Sequence, residues 1–255
     1  MVLVGLAVWG FAPGNAWGQI GRPTAKLPAD FVYLRQIDQS IEQDIRYASD
    51  RNFTGQRVAG YEAAECILLR DAALALKQAQ ADLNKQGFRF KVYDCYRPQR
   101  SVQSFLAWAQ ARSASATRLA RHHPSVPRDK LVERGYIAPN SQHSTGAAVD
   151  LTIVALSSPV QPVFDPDGDF ADCTADKARR EPDNSEDAGT GFDCFDIKSH
   201  SAAANLSSSQ QRVRKLMIDV LAQHGFANYS KEWWHFRYVA ARGVLRAHDF
   251  VVGQL

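Results

Sequence analysis

The residues with most chemical promise lie in two stretches, Ser141-Gln142-His143-Ser144-Thr145-Gly146-Ala147-Ala148-Val149-Asp150 and, far downstream, Glu232-Trp233-Trp234-His235. Two imidazoles and a carboxylate, His143, His235 and Asp150, form a ligand set that suits zinc and leaves one coordination position open. From Ala147 the residues read as a strand, with Ala148, Asp150 and Thr152 on one face and Ala147, Val149, Leu151 and Ile153 on the other. Gly146 permits a sharp turn ahead of that strand, which can bring His143 back over Asp150. Taken alone, a histidine seven residues before an aspartate reads more readily as part of a polar turn before a buried strand. Glu232 and His235 shift that balance. Three residues apart, they face one cavity if Glu232 sits in an entry turn and His235 in the strand. The two tryptophans between them supply low-dielectric walls that raise a carboxyl toward the range of a general base.

Three further side chains belong with these. Arg97 stands at a strand end, and Pro98 fixes the backbone behind it, which aims the guanidinium into a cleft; a surface ion pair is the alternative. Tyr47 offers a substrate-facing phenol or a packed aromatic. Asp193 and Asp196, within Gly191-Phe192-Asp193-Cys194-Phe195-Asp196, are candidates for a partly desolvated acid site. Other features carry less. His122-His123 reads as surface, since adjacent histidines rarely point the same way. Asp165, Asp167 and Asp169 resemble a calcium loop but have Phe170 where that motif needs glycine.

These residues need elements to position them. Leu68 to Gln86 places apolar residues near a 3.6-residue period and ends at Gly87, which predicts an amphipathic helix. A strand over Phe88 to Tyr93 and a helix from Gln99 to Ala111 follow, then a short helix over Pro127 to Glu133. After a strand over Ala147 to Val154 comes Asp165 to Asp196, with eleven acidic against three basic residues, which reads as a solvated insertion loop. A second amphipathic helix runs from Ser208 to His224, and strands over Phe226 to Tyr229 and Trp233 to Val239 close the chain. The expected fold is α+β, a single domain with a mostly antiparallel central sheet, two main helices and a long acidic insertion loop.

With 255 residues and 45% of them hydrophobic, the chain can bury one sizeable core. A net charge of +3, without a run that alternates basic and aromatic residues, argues against nucleic acid as a partner. Residues 1–18 resemble a secretory signal segment lacking the usual basic start, and 19–30 an extended arm before a catalytic domain over 31–255. No later segment is apolar enough for membrane insertion. Four cysteines without a Cys-x-x-Cys pair favour disulfides if the chain is exported to the periplasm or secreted, and four free thiols if it stays in the cytoplasm. Of the three possible pairings, Cys173 with Cys194 closes the polar loop, leaving Cys66 for Cys95.

Taken together, Tyr47, Asn52-Phe53-Thr54-Gly55, Tyr96-Arg97-Pro98, the Ser141 to Asp150 motif, Phe192-Asp193-x-Phe195-Asp196 and Glu232-Trp233-Trp234-His235 resemble the zinc D-alanyl-D-alanine dipeptidases of the vancomycin-resistance type. The resemblance implies one zinc per chain on His143, Asp150 and His235, Glu232 as catalytic base and Arg97 as stabiliser of the oxyanion. It also implies that Tyr47, Ser141 and Asp193 contact a small dipeptide, with Asp193 taking its ammonium group. A carboxypeptidase or endopeptidase on longer peptidoglycan peptides is the nearest alternative. A wall-binding protein without catalysis is the next, and Glu232 and Arg97 argue against it.

Overall fold

The structure is a computed structural model that describes residues 27–111, 117–241 and 245–255. The segment read as a signal, and most of the arm behind it, lie outside the described residues. Among those described, a five-stranded sheet forms the centre: β2 (Glu42–Gln43), β4 (Phe88–Asp94), β5 (Ala148–Ala155), β7 (His235–Tyr238) and β6 (Phe226–Asn228), in that spatial order. Only β2 and β4 pair in parallel; the other neighbours are antiparallel, as expected. A two-stranded antiparallel ribbon of β1 (Phe31–Tyr33) and β3 (Ile67–Leu69) stands beside it, with the single-turn helix α1 (Leu34–Ile37) after β1.

Helix α2 (Arg70–Asn84) buries Ala72, Ala73, Leu76, Ala79 and Leu83, the stripe legible in the sequence, and packs on β4. Helix α5 (Ser208–Gln223) packs on β6 and on α2. It opens with a capping box in which the Ser207 hydroxyl accepts from the Gln210 amide and the Gln210 side chain accepts from the Ser207 amide. Helix α3 (Gln99–Gln110) follows Pro98, and a short α4 spans Thr117–Ala120. The helix expected over Pro127 to Glu133 is a single 3-10 turn, Arg128–Lys130. Apolar residues there are too few to build a packed stripe, so nothing sustains further turns.

The acidic segment differs most from its sequence reading. It is a loop with one short 3-10 turn, Lys177–Arg179, and a second, Ile197–Ser199, directly after its end. It is not solvated. Lys91, fully buried in the middle of β4, donates to Asp183 Oδ1, Gln161 Oε1 and Asn184 Oδ1, each at 2.7 Å. Arg46 donates to Asp183 Oδ2 at 2.6 Å, Glu181 at 3.2 Å and Asp44 at 2.9 Å, while Arg51 donates to Glu181 and to the Pro182 carbonyl. Acids that look like a soluble surface in sequence are counter-ions for cations buried by the sheet. An unpaired buried lysine or arginine is strongly destabilising, so loop and sheet edge form as one unit.

Candidate active site

Strand register builds the site. Asp150 on β5 lies directly opposite His235 on β7, and opposite Asp94 on β4 on its other side, where an irregularity between Val92 and Asp94 resets the pairing. Three polar side chains thus stand in a row across three strands. His143 joins them from a 3-10 turn, Gln142–Thr145, that immediately precedes β5; the Ser141 hydroxyl caps it by accepting from the His143 amide at 3.3 Å. Gly146 ends that turn at φ 74°, and a Cβ there would meet the Phe31 ring at 2.2 Å, so both backbone and packing require glycine.

The atoms of the set converge. His143 Nε2 lies 3.0 Å from His235 Nδ1 and 3.2 Å from Asp150 Oδ1, and His235 Nδ1 lies 2.9 Å from the same oxygen. His143 Nδ1 donates to the Cys95 carbonyl at 2.7 Å, which leaves a lone pair on Nε2. Two ring nitrogens and a carboxylate oxygen directed at one point fit a tetrahedral zinc with one position left for solvent or substrate. Burial acts to raise the Asp150 carboxyl, but the adjoining imidazoles outweigh it and hold it well below its usual range. Burial also lowers the His235 imidazole, keeping it in the neutral form that a ligand needs.

Around this point the structure brings together every other site residue named from the sequence except Asp196. Tyr47, Arg97, Ser141, Asp193 and Glu232 line one pocket of about 280 Å³ with the three ligand candidates. Glu232 occupies the turn before β7, and its Oε2 lies 3.9 Å from His235 Nδ1. Burial, reinforced by the Asp150 and Asp193 carboxylates, raises Glu232 well above an ordinary glutamate. Trp234 is fully buried and meets Phe192 edge to face, which forms the apolar wall. Asp193 is the one described non-glycine residue at positive φ, 54°. That backbone turns its carboxylate toward the Tyr47 hydroxyl, which donates to it at 2.9 Å. Burial, then the Asp150 charge, pushes the Asp193 carboxyl up to about 8. Asp196 instead caps the following turn, accepting from the Lys198 amide at 2.8 Å.

Asp94 escaped the sequence reading. Fully buried, it accepts from Arg97 Nε at 2.9 Å and from the Tyr61 hydroxyl at 2.5 Å, and it lies 3.4 Å from His143 Nδ1. Burial acts against the Arg97 charge, but Asp94 more than offsets it, so the guanidinium stays charged and fixed over the Tyr47 ring. A carboxylate three residues before a candidate arginine, at a strand end, was the available signal. His122 was read as surface, yet its Nδ1 is buried and without a partner, because the loop ending at Cys194 folds over it. Tyr136, Ile137, Phe195 and Tyr229 complete the pocket wall.

Both disulfides form as the spacing suggested, Cys66 with Cys95 and Cys173 with Cys194. The first lies at the residue whose carbonyl orients His143, and the second beside Asp193.

The family model described as D-ala-D-ala dipeptidase, of the M15 peptidases, matches residues 28–165 and 172–252. Only 166–171 fall outside the match within that span, so most of the acidic loop is part of the family's framework. A D-alanyl-D-alanine dipeptidase of Streptomyces coelicolor is 33% identical over 82% of this chain and 92% of its own. Those of Enterococcus faecalis and Enterococcus faecium are 29% and 30% identical, over 82% and 81% of this chain and 91% and 90% of theirs. With a match running through every residue of the pocket, the chain belongs to the D-Ala-D-Ala dipeptidase family of M15 peptidases.

Proposed function

We propose that the protein is a zinc-dependent dipeptidase that hydrolyses D-Ala-D-Ala to two D-alanines, with His143, Asp150 and His235 holding the metal. The observation that carries this reading is the convergence of three ligand atoms beside a buried glutamate and arginine, in a pocket that a carboxylate closes at one end. Zinc bound there supplies Lewis acidity, polarising the scissile carbonyl and making water a nucleophile at neutral pH. Glu232, with its raised affinity for protons, takes the proton from the attacking water as the C–O bond forms. It then delivers that proton to the leaving amine as the C–N bond breaks. Arg97 meets the negative charge that develops on the carbonyl oxygen, and Asp94 holds it in place.

Asp193 and Tyr47 receive the free ammonium group. Burial raises the Asp193 carboxyl, and the ammonium of a bound dipeptide stabilises its ionised form against that burial. This favours a dipeptidase over an enzyme for longer peptides, because an extended chain puts a neutral amide where the pocket presents an acid. Ser141, already capping the His143 turn, contributes its hydroxyl to the pocket wall. Two closed disulfides support a periplasmic or extracellular setting, and a role in turnover of cell-wall fragments follows from that setting. Among the described residues no helix is long and apolar enough to cross a membrane.

The test compares kcat/KM for D-Ala-D-Ala and N-acetyl-D-Ala-D-Ala on zinc-loaded protein, before and after Asp193→Asn. The free dipeptide should be preferred by at least a hundredfold, and the substitution should narrow the gap by impairing it most. Equal cleavage of both by the unmodified enzyme would instead establish the carboxypeptidase reading.

A further inference from the structure

A second cavity, of about 60 Å³, lies behind the catalytic pocket, and the two share no lining residue. They are back to back. Arg46, Phe192 and Trp233 face the rear cavity, while their successors Tyr47, Asp193 and Trp234 face the catalytic one. Four cations line the rear cavity, Arg46, Arg121, Lys177 and Arg180, against three acids, Glu181, Asp183 and Glu186. Two of those acids are already engaged: Glu181 accepts from Arg46, Arg51 and Arg121, and Asp183 from Arg46, Lys91 and the Tyr93 hydroxyl.

Arg180 is only 7% exposed, and it gives Nη2 to Asp187 Oδ1 at 2.6 Å while Nη1 has no partner. The buried His122 Nδ1 is also without one. A buried guanidinium nitrogen left unmatched is costly and can be matched only by an acceptor, and the four lining cations are offset by the three lining acids together with Asp187 on the other nitrogen of Arg180.

We propose that this rear cavity is a binding site for one small oxyanion, a carboxylate or a phosphate, held by Arg180 Nη1 with Lys177 and Arg121 around it. A hydrogen phosphate offers an acceptor to Arg180 and a hydroxyl to His122 Nδ1, whereas a carboxylate offers its acceptors to Arg180 alone. The cavity is much smaller than the catalytic pocket of about 280 Å³ and suits an anion of a few heavy atoms. Occupancy would be felt by the dipeptide site, since Phe192, stacked on Tyr93 at 4.5 Å, and Trp233 are wall residues whose neighbours form the front pocket.

The experiment is calorimetric titration of the zinc-loaded protein with inorganic phosphate and, separately, with acetate, at constant ionic strength. One saturable site per chain is expected, weakened at least tenfold in Arg180→Met and several-fold in Lys177→Gln. Lys177 reaches the loop only through the Ser185 carbonyl and is partly exposed, so this second variant keeps the test intact if Arg180→Met misfolds. Saturation by phosphate alone identifies the site as a phosphate site, by acetate alone as a carboxylate site. Absence of saturable binding for both anions overturns the proposal. So does binding that survives both substitutions and is displaced by D-alanine, which places the anion in the catalytic pocket. Because the readout is binding, these outcomes do not depend on whether the protein cleaves D-Ala-D-Ala.

Discussion

At the scale of single residues, the site separates metal binding from proton transfer, and substitutions should separate them too. His235→Ala removes one of three ligands and should leave the protein without stoichiometric zinc by elemental analysis. Glu232→Ala should retain one zinc per chain and lose about a hundred- to ten-thousandfold in kcat, because the glutamate is near the metal position but outside the ligand set. Full zinc in the first variant, or near-normal turnover in the second, would reassign the residue concerned. Asp94 acts through others, steadying Arg97 and lying against the ring whose far nitrogen faces the metal. Asp94→Asn keeps the shape and halves the acceptor capacity. It should lower kcat about ten- to a hundredfold with little change in KM, while Asp94→Glu should recover part of the loss. Unchanged kinetics in Asp94→Asn would reduce that residue to packing.

At the scale of elements, local pattern and long-range pairing behaved differently. The stripes of α2 and α5, the strand after Gly146 and the turn position of Glu232 were legible because each depends on neighbours within a few residues. The ligand trio could be proposed from residue types, but the register of β4, β5 and β7 that aligns Asp94, Asp150 and His235 is a tertiary property. The acidic loop was misjudged for the same reason. Its partners Lys91, Arg46 and Arg51 lie far away in sequence, so composition alone suggests solvent. The Cys173–Cys194 bridge ties the two ends of that loop together beside Asp193. A paired Cys173→Ser, Cys194→Ser variant should unfold with about 3 kcal/mol less stability. Its KM for D-Ala-D-Ala should rise with zinc content unchanged, because the freed backbone relaxes from the positive φ that aims Asp193. An unaltered KM would show that packing of Phe192 and Phe195 holds Asp193 without the bridge.

At the scale of the whole molecule, two sets of buried carboxyls pull stability in opposite directions with pH. Burial acts to raise Asp183 and Glu181, but Lys91 and Arg46 outweigh it at Asp183, and Arg46 and Arg51 at Glu181, so both sit below their usual range. Groups depressed on folding stabilise above the unfolded value, roughly 4, and that contribution disappears as pH falls below it. Asp193 runs the other way. Raised to about 8 by burial and by Asp150, it favours the folded state while protonated, and that contribution is lost as pH climbs from roughly 4 through 8. Zinc introduces a positive charge beside the site and opposes this second loss. Metal-free protein should therefore show a Tm that falls on both sides of a mildly acidic optimum, with zinc flattening the alkaline side. Asp183→Asn takes the bonded carboxylate from the buried Lys91 and one of three from Arg46, and should remove about 3 kcal/mol at neutral pH while weakening the acid dependence. Asp193→Asn should leave the acid side alone and flatten the decline toward pH 8 in chelated protein. Thermal melts from pH 3 to pH 9, with and without zinc, measure both. An alkaline decline of the same steepness in Asp193→Asn would move its origin to Glu232 or Asp94, the other buried carboxyls that folding raises.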